Sequence, residues 1–138
     1  MNVLEIIKLL LSAFLGGLVG LERQTHHKQS GIRTMSLISL GSCTFSIVST
    51  SFPGSDPTRV IAQIVTGIGF LGAGIIFKSG MNVYGLTSAA AIWCVAAVGM
   101  LIGVGMMQLA IEVTFIMLAI NIFIKRKKED EPGNSGKN

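Results

Sequence analysis

Charged and amide side chains recur within or beside the apolar segments of this 138-residue chain. Asp56, Arg59 and Gln63 follow one another at spacings of three and four residues, which places them on one face of a helix. Glu112 lies well inside another apolar segment. Because ionisable groups are costly at membrane depth, such residues are candidates for functional roles. Carboxylate oxygens are also the ligands that magnesium prefers, so Asp56 and Glu112 are speculative metal ligands.

Two interpretations of this acidic group remain open. Glu5 and Lys8 belong to the same end of the molecule under the topology derived below. The three carboxylates and two cations either neutralise one another as a structural polar network or line a hydrated vestibule that binds a cation. Magnesium is the candidate ion for such a vestibule because it keeps several of its own waters when it binds.

A second polar group surrounds the first connection between apolar segments. Glu22 and Arg23 end one segment, and Arg33 opens the next. A glutamate between two arginines would hold the two helices together as a hairpin lock. Alternatively, the arginines bind lipid phosphate or an acidic partner. The adjacent His26 and His27 are interpreted as part of a solvated loop, because no cysteine or carboxylate completes a metal-ligand set.

The elements that carry these residues are five apolar runs. Hydrophobic residues make up 50% of the chain and charged residues only 13%, whereas a soluble domain has about 25% charged residues. A helix of roughly 20 mostly apolar residues crosses a bilayer. We predict an all-α polytopic membrane bundle of about five transmembrane helices, from the runs 3–21, 34–52, 60–77, 86–104 and 107–124.

The distribution of Lys and Arg predicts an orientation. These residues accumulate in the first connection, in the third connection and after the last span, and basic residues favour cytoplasmic loops. The N-terminus is therefore predicted outside and the C-terminus inside. The transmembrane domain is predicted over 1–125, and a basic, then polar and disordered, tail over 126–138. The run Lys125–Lys128 is interpreted as a membrane-surface anchor, not as a nucleic-acid site.

Small residues recur at helical spacing along the predicted spans. Helices associate in lipid through close packing of such residues, so we predict helix-packing roles for a set of eight glycines: Gly16, Gly20, Gly67, Gly69, Gly72, Gly74, Gly99 and Gly103. Three of these glycines match the dinucleotide-binding pattern G-x-G-x-x-G. That pattern requires a preceding strand and a helix start, and here it lies inside an apolar helix. It therefore predicts a packing surface or a helix break, not a nucleotide site.

The chain shows no sign of an enzyme. It has no soluble fold to hold a substrate pocket and no nucleophile–base pair with a supporting signature. Cys43 and Cys94 fall in different spans and are interpreted as small buried apolar residues, not as a disulfide or a metal pair.

The order of these motifs resembles the MgtC/SapB family of bacterial membrane proteins. The resemblance begins with Gly17-Leu-Val-Gly-Leu-Glu-Arg23 and Gly31-Ile-Arg-Thr34. It continues through Asp56, Arg59–Gln63, the glycine-rich segment 67–74, Gly85-Leu-Thr-Ser-Ala-Ala90 and Trp93, to Gly99 and Gly103. It covers roughly residues 15–110 in order, with the spacing intact.

The resemblance implies a multi-pass protein of the bacterial inner membrane. Members of the family are tied to growth under magnesium limitation, and some bind and restrain the membrane sector of ATP synthase. A magnesium-transport role has also been proposed for them. The family's polar signature residues correspond here to Glu22, Arg23, Arg33, Asp56, Arg59 and Gln63. Virulence-associated members carry a soluble C-terminal domain of the ACT type, so functions of that domain are not expected of this chain.

Two functions follow as hypotheses. In the first, the protein is a membrane regulator that contacts a larger complex, such as the membrane subunits of ATP synthase, through its helices. In the second, it is a magnesium transporter or channel. Because five helices make a small transporter, the second function needs a homo-oligomer, and a dimer is favoured.

Overall fold

The structure of the chain, a computed structural model, describes residues 2–54 and 56–124. These residues form five helices and one short antiparallel hairpin: α1 (Val3–Thr25), α2 (Ile32–Thr50), α3 (Pro57–Ile75), β1 (Phe77–Ser79), β2 (Asn82–Tyr84), α4 (Leu86–Gly103) and α5 (Met107–Phe123). The predicted polytopic helix bundle is confirmed. The first four helices are long and apolar enough to cross a membrane, whereas α5 has 17 residues and is shorter.

Local sequence signals explain where several helices begin. At α1, the Asn2 side chain caps the helix while the Glu5 carboxylate accepts a hydrogen bond from the Asn2 backbone at 3.3 Å. At α3, Asp56 is the cap and Pro57 occupies the first turn, where its missing N–H removes no helical hydrogen bond. At α4, Gly85 adopts a left-handed conformation with φ of 87°, which few other residues tolerate.

Helix α4 is the centre of the bundle and packs against each of the other four helices. Close contacts fix the chain directions: Gly16 lies against Met35 and Gly20 against Ile32, so α1 and α2 are antiparallel. Gly99 lies against Ser39 and Gly103 against Ser46, so α2 and α4 are parallel. The end of α1 therefore meets the starts of α2 and α4, and we name this end of the bundle the Arg23 end.

Burial divides the helices unequally. Within the most apolar 18-residue window of each helix, half of α4 is buried, compared with 6% of α3. The core lies between α1, α2 and α4 and includes Val19, Met35, Val95 and Ile102. Since apolar side chains on the outer faces are exposed, the bundle presents the surface expected of a protein that lies in lipid.

Two features differ from the predicted spans. The third span was predicted to continue to Phe77, but α3 ends at Ile75 and Phe77 begins β1. The two strands pair around Gly80 and Met81, and the positive φ of Gly80 (61°) suits a two-residue hairpin turn. This hairpin was missed because each strand has only three residues, too few to show an alternating pattern.

The predictions for the C-terminal tail, the domain boundary and the membrane orientation are not tested by the described residues. The predicted tail over 126–138 and the run Lys125–Lys128 fall outside the described residues. The domain boundary at residue 125 and the orientation with the N-terminus outside also stay predictions.

Candidate functional site

Arg23 is a buried cation at the junction of three segments. Its side chain is 2% exposed. The Nη2 atom donates a hydrogen bond to Ser88 Oγ at 2.6 Å, and a longer one to the backbone oxygen of Gln29 at 3.5 Å. Arg23 thus connects the last turn of α1 to the α1–α2 loop and to the first turn of α4.

This guanidinium is only partly satisfied. Among the described residues, its buried Nε atom has no hydrogen-bond partner, and no carboxylate forms an ion pair with the guanidinium. Burying a charge without a paired counter-charge is costly, although the position of Arg23 at the C-terminal end of α1 gains from the helix dipole. The bond to Ser88 is therefore the principal short-range compensation for burying this group.

Glu22 and Arg33 do not complete the lock that the sequence suggested. The Glu22 carboxylate pairs with His26 Nδ1 at 3.3 Å, and Arg33 is exposed at the start of α2. In the part of the chain that the structure describes, no ion pair joins Glu22 to either arginine. The junction is held instead by Arg23 and Ser88, and by Gln24 Oε1, which accepts from the Ile32 backbone N–H at 3.4 Å.

The predicted polar face of α3 lies at the opposite end of the bundle. Asp56 accepts hydrogen bonds from the Thr58 backbone N–H at 3.0 Å and from the Thr58 hydroxyl at 2.6 Å. These bonds, helped by the nearby Arg59 charge, lower the pKa of the Asp56 carboxyl from its ordinary value. Asp56, Arg59 and Gln63 are all exposed. The first role of Asp56 is therefore to cap α3.

Glu112 is on a different helix and has a local partner. It is exposed on α5, where its carboxylate accepts a hydrogen bond from Gln108 Nε2 at 3.0 Å. Helix α5 packs on α1 and α4, whereas the α3 helix that Asp56 begins packs on α2 and α4. Residues 2–54 and 56–124 contain no group of three or more His, Cys, Asp or Glu side chains able to hold a metal. The predicted magnesium ligands Asp56 and Glu112 thus have no third side chain to support them.

Glu5 and Lys8, which the sequence placed with this acidic group, serve the helix ends. Glu5 belongs to the capping box of α1. Lys8 Nζ donates to the backbone oxygen of Gly103 at 3.0 Å. Because Gly103 is the last residue of α4, the ammonium lies where the helix dipole favours a positive charge.

Serines fill the interface between α2 and its neighbours. Ser42, Ser46 and Ser49 are buried, and the hydroxyls of Ser46 and Ser49 donate to carbonyls of their own helix at 2.8 and 2.7 Å. The Ser39 hydroxyl is buried and has no hydrogen-bond partner among the described residues. The short side chains allow close helix packing, and their self-bonding keeps the cost of burying hydroxyls small.

The predicted packing glycines separate into two classes. A Cβ added at Gly16 would lie 2.6 Å from the Met35 backbone oxygen, and one at Gly20 would lie 2.6 Å from Ile32 Cα. Gly99 and Gly103 approach Ser39 and the Cys43–Ser46 segment with equally little space. At these four positions a side chain has no room, so the helices meet at backbone distance.

The glycines of α3 form the second class. Gly72 touches only Ala89 at ordinary contact distance, and open space surrounds the Cβ positions of Gly67, Gly69 and Gly74. All four lie within the unbroken helix α3, so the helix break that the glycine-rich segment also suggested is absent. At these three open glycines, a Cβ would meet no other helix within the described chain.

An apolar groove of about 600 Å³ separates α2 from α3. Its floor includes Ser42 and Ile68, and its exposed rim includes Leu37 and Phe45. Gly41 and Gly67 line it from the two helices, and Gln63 is its polar member on α3. We name this feature the α2–α3 groove.

Sequence reasoning missed three parts of this arrangement. The role of Ser88 as the partner of Arg23 was missed, although a hydroxyl in the first turn of a helix is well placed to meet a buried arginine. Lys8 was assigned to an acidic group because the pairing of α1 with the end of α4 is not visible in the chain order. The α2–α3 groove had an indirect signal, since Gly67 and Gln63 share one face of α3 at a spacing of four residues.

The sequence matches one family model along most of its length. The model described as the MgtC family matches residues 9–129. The chain is 52% identical to Protein MgtC of Brucella abortus (strain 2308) over 118 residues, which is 84% of this chain and 50% of that protein. It is 44% identical to Protein MgtC of Salmonella typhimurium (strain LT2) over 120 residues, which is 87% of this chain and 52% of that protein.

The chain therefore spans about half the length of the curated relatives it matches. None of the solved structures matches it.

Proposed function

The chain belongs to the MgtC family, and we propose that it is a regulator in the bacterial inner membrane that acts in adaptation to low magnesium. It does so by binding a partner membrane complex through its own helices. The proposal combines what the family resemblance implies with the unequal packing of the bundle.

The α2–α3 groove is the observation that carries this proposal. Three helices, α1, α2 and α4, pack at backbone distance, whereas α3 leaves most of its surface uncovered. Gly41 and Gly67 admit the backbone of another helix, because no described atom beyond the adjoining turns of its own helix lies within 4 Å of either Cβ position. Gln63 offers donors and an acceptor at membrane depth, where an interhelical hydrogen bond is worth about 0.6 kcal/mol on average.

The membrane subunits of ATP synthase are the partner that the family resemblance supports. A transmembrane helix of such a subunit would place its own small residues against Gly41 and Gly67 and a polar group opposite Gln63. A homodimer that uses the same groove is the second occupant, and it would compete with the partner for it. Neither occupant requires a bound metal.

Binding is tested with a matched pair of glycine substitutions. Gly67→Leu fills the groove, whereas Gly69→Leu adds the same side chain to the same helix at a position that is also open but does not line the groove. Wild-type protein and Gly69→Leu are expected to retain the ATP synthase membrane subunits in a pull-down from native membranes. Gly67→Leu is expected to lose them while eluting from size exclusion in the same folded form.

Magnesium transport, the alternative function, is tested with purified protein in liposomes that contain a magnesium-sensitive dye. We expect no protein-dependent flux, because the exposed carboxylates Asp56 and Glu112 lie on helices that do not bring a third ligand to either of them. Saturable flux that Asp56→Asn or Glu112→Gln abolishes would replace the regulator proposal with the transporter. Equal retention of the subunits by both leucine variants would remove the groove from the proposal.

A further inference from the structure

The β1–β2 hairpin is an apolar projection at the Arg23 end of the bundle. Every residue from Ile76 to Tyr84 is exposed. Met81 at the tip is 97% exposed, and the half-exposed rings of Phe77 and Tyr84 stack with their centroids 5.2 Å apart. Val83 and Lys78 pair on the opposite face of the hairpin. A surface of this composition is unfavourable in water, because large apolar side chains are left uncovered.

The hairpin is also too small to hold its own shape in water. A lone two-stranded hairpin is marginally stable at best. Within the described chain, its apolar side chains Phe77, Val83 and Tyr84 each keep between 41% and 50% of their surface exposed. An apolar environment outside the described residues would therefore stabilise this segment.

The hairpin is attached to the bundle through short connections to α3 and α4, which fix its position at the Arg23 end. It begins two residues after the end of α3 and ends one residue before the Gly85 cap of α4. A Cβ at Gly85 would overlap the Ile75 backbone oxygen, so the base of the hairpin is clamped against the end of α3. Leu86, at the start of α4, is 57% exposed and continues the apolar surface of the hairpin onto the lipid-facing side of the helices.

The exposed charges at this end are mostly positive. Lys78 lies on the hairpin, and Lys28 and Arg33 are exposed on or beside the neighbouring α1–α2 loop. Glu22 is the acidic group at this end within the described residues, and its carboxylate lies 3.3 Å from His26 Nδ1. Cations next to an apolar surface complement an interface of hydrocarbon and anionic phosphate.

From these observations we infer that the β1–β2 hairpin is a membrane-interface anchor that inserts Met81, Phe77 and Tyr84 into the headgroup layer of an anionic lipid bilayer. Lys78, on the opposite face of the hairpin, contacts lipid phosphate. The occupant is lipid, because the apolar surface of the hairpin is continuous with the membrane-facing surface of α3 and α4 and because the neighbouring exposed charges have the complementary sign. Aromatic residues favour this layer for the same amphipathic reason.

A tryptophan at the tip tests the inference. Trp93 is the one tryptophan of the chain, so Trp93→Phe provides a background in which Met81→Trp is the sole reporter. The tip is 97% exposed, so the substitution disturbs no packing. The full chain is placed in vesicles of phosphatidylcholine, with or without phosphatidylglycerol, and tryptophan emission is measured with acrylamide in the water or with bromine on the upper part of the lipid chains.

We expect the tip tryptophan to emit at shorter wavelength and to be severalfold less accessible to acrylamide than a control reporter at Gln29→Trp. Gln29 is exposed in the polar loop at the same end of the bundle, so the control differs in surroundings but not in side. Brominated lipid should quench the tip and spare the control. Adding phosphatidylglycerol should increase protection of the tip from acrylamide. Lys78→Gln should reduce that increase by about fivefold, because one cation near an anionic surface contributes about 1 kcal/mol of binding free energy.

Two outcomes overturn the inference. A tip that acrylamide quenches as strongly as the Gln29→Trp control lies in water. A tip that is protected from acrylamide only at high protein-to-lipid ratio, and that brominated lipid does not quench at low ratio, is covered by a second copy of the chain.

Discussion

The bond between Arg23 and Ser88 makes a prediction with a definite sign. Ser88→Ala removes the hydroxyl that accepts from Nη2 at 2.6 Å and leaves the guanidinium with the Gln29 oxygen at 3.5 Å. Since Arg23 is 2% exposed, water cannot replace the lost acceptor without opening the junction. The variant should therefore lose more stability than an ordinary buried serine would cost.

The size of the loss follows from the charge. A hydrogen bond to a charged group contributes about 1.5–3 kcal/mol, and an unsatisfied buried charged group costs at least as much. Ser46→Ala is the matched control, because Ser46 is also buried but donates to a carbonyl of its own helix at 2.8 Å. Hydrogen bonds between helices in a membrane protein average about 0.6 kcal/mol, and a hydroxyl that bonds to its own helix is expected to contribute no more than that. Ser88→Ala should thus exceed Ser46→Ala by about 1–2 kcal/mol.

Arg23→Met completes a double-mutant cycle. Methionine fills much of the same volume without a charge, and removing both partners of a buried polar pair costs less than stranding one of them. In the Arg23→Met background, Ser88→Ala should therefore have almost no further effect. Unfolding is followed by far-UV circular dichroism in mixed micelles with increasing fractions of dodecyl sulfate.

Either of two results would refute this reasoning. If Ser88→Ala costs no more than Ser46→Ala, the guanidinium does not depend on the hydroxyl. If Ser88→Ala costs as much in the Arg23→Met background as in the wild type, its effect does not pass through Arg23.

Three further predictions concern the helix contacts and the α3 cap. Gly99→Ala should destabilise the bundle by about 1–3 kcal/mol, because its Cβ would overlap the α2 backbone, whereas Gly74→Ala, with open space around it, should be neutral or slightly stabilising in the same unfolding assay. Lys8→Met should cost about 1–2 kcal/mol by removing the cation at the C-terminus of α4. In a Gly103→Ala background, where the added Cβ would push the end of α4 away from α2, the same substitution should cost less. An equal cost in both backgrounds would contradict the prediction. The pKa of the Asp56 carboxyl is lowered in the folded state, so the cap stabilises the fold above the unfolded pKa of about 3.9 and this stability is lost as pH falls through the folded pKa. Asp56→Asn should therefore remove the loss of helix content on the acid side of a pH titration. If the variant loses helix content as the wild type does, Asp56 is not the source of that loss.

The membrane bundle was predictable because its signal is carried by composition and run length. Five apolar runs separated by polar residues require helices in lipid, and no helix bound differs from the predicted run by more than four residues. The packing glycines of α1 and α4 were predictable for a related reason, since close helix contact in lipid depends on small residues at helical spacing.

The polar site was less predictable because chain order does not say which helix faces which. Arg23 was selected correctly as a residue of interest, but its partner Ser88 is 65 residues away. Glu112 and Asp56 were grouped because both lie near one end of the bundle, whereas they lie on helices with different neighbours. The equal spacing of the α3 glycines likewise does not distinguish a face packed inside the bundle from one that is open.

The open glycines indicate where this protein meets other helices. A glycine in a helix costs about 0.5–1 kcal/mol relative to alanine, and at Gly16 and Gly99 that cost is offset by backbone contacts that no side chain would permit. Gly41 and Gly67 have no such contact, although both face the α2–α3 groove. Together they destabilise the isolated chain by about 1–2 kcal/mol, and no packing contact at their Cβ positions within the described bundle offsets this cost. A partner helix that packs in the groove would supply the missing contacts. The regulatory contact proposed for the protein would therefore offset the free energy that these two glycines cost the isolated chain.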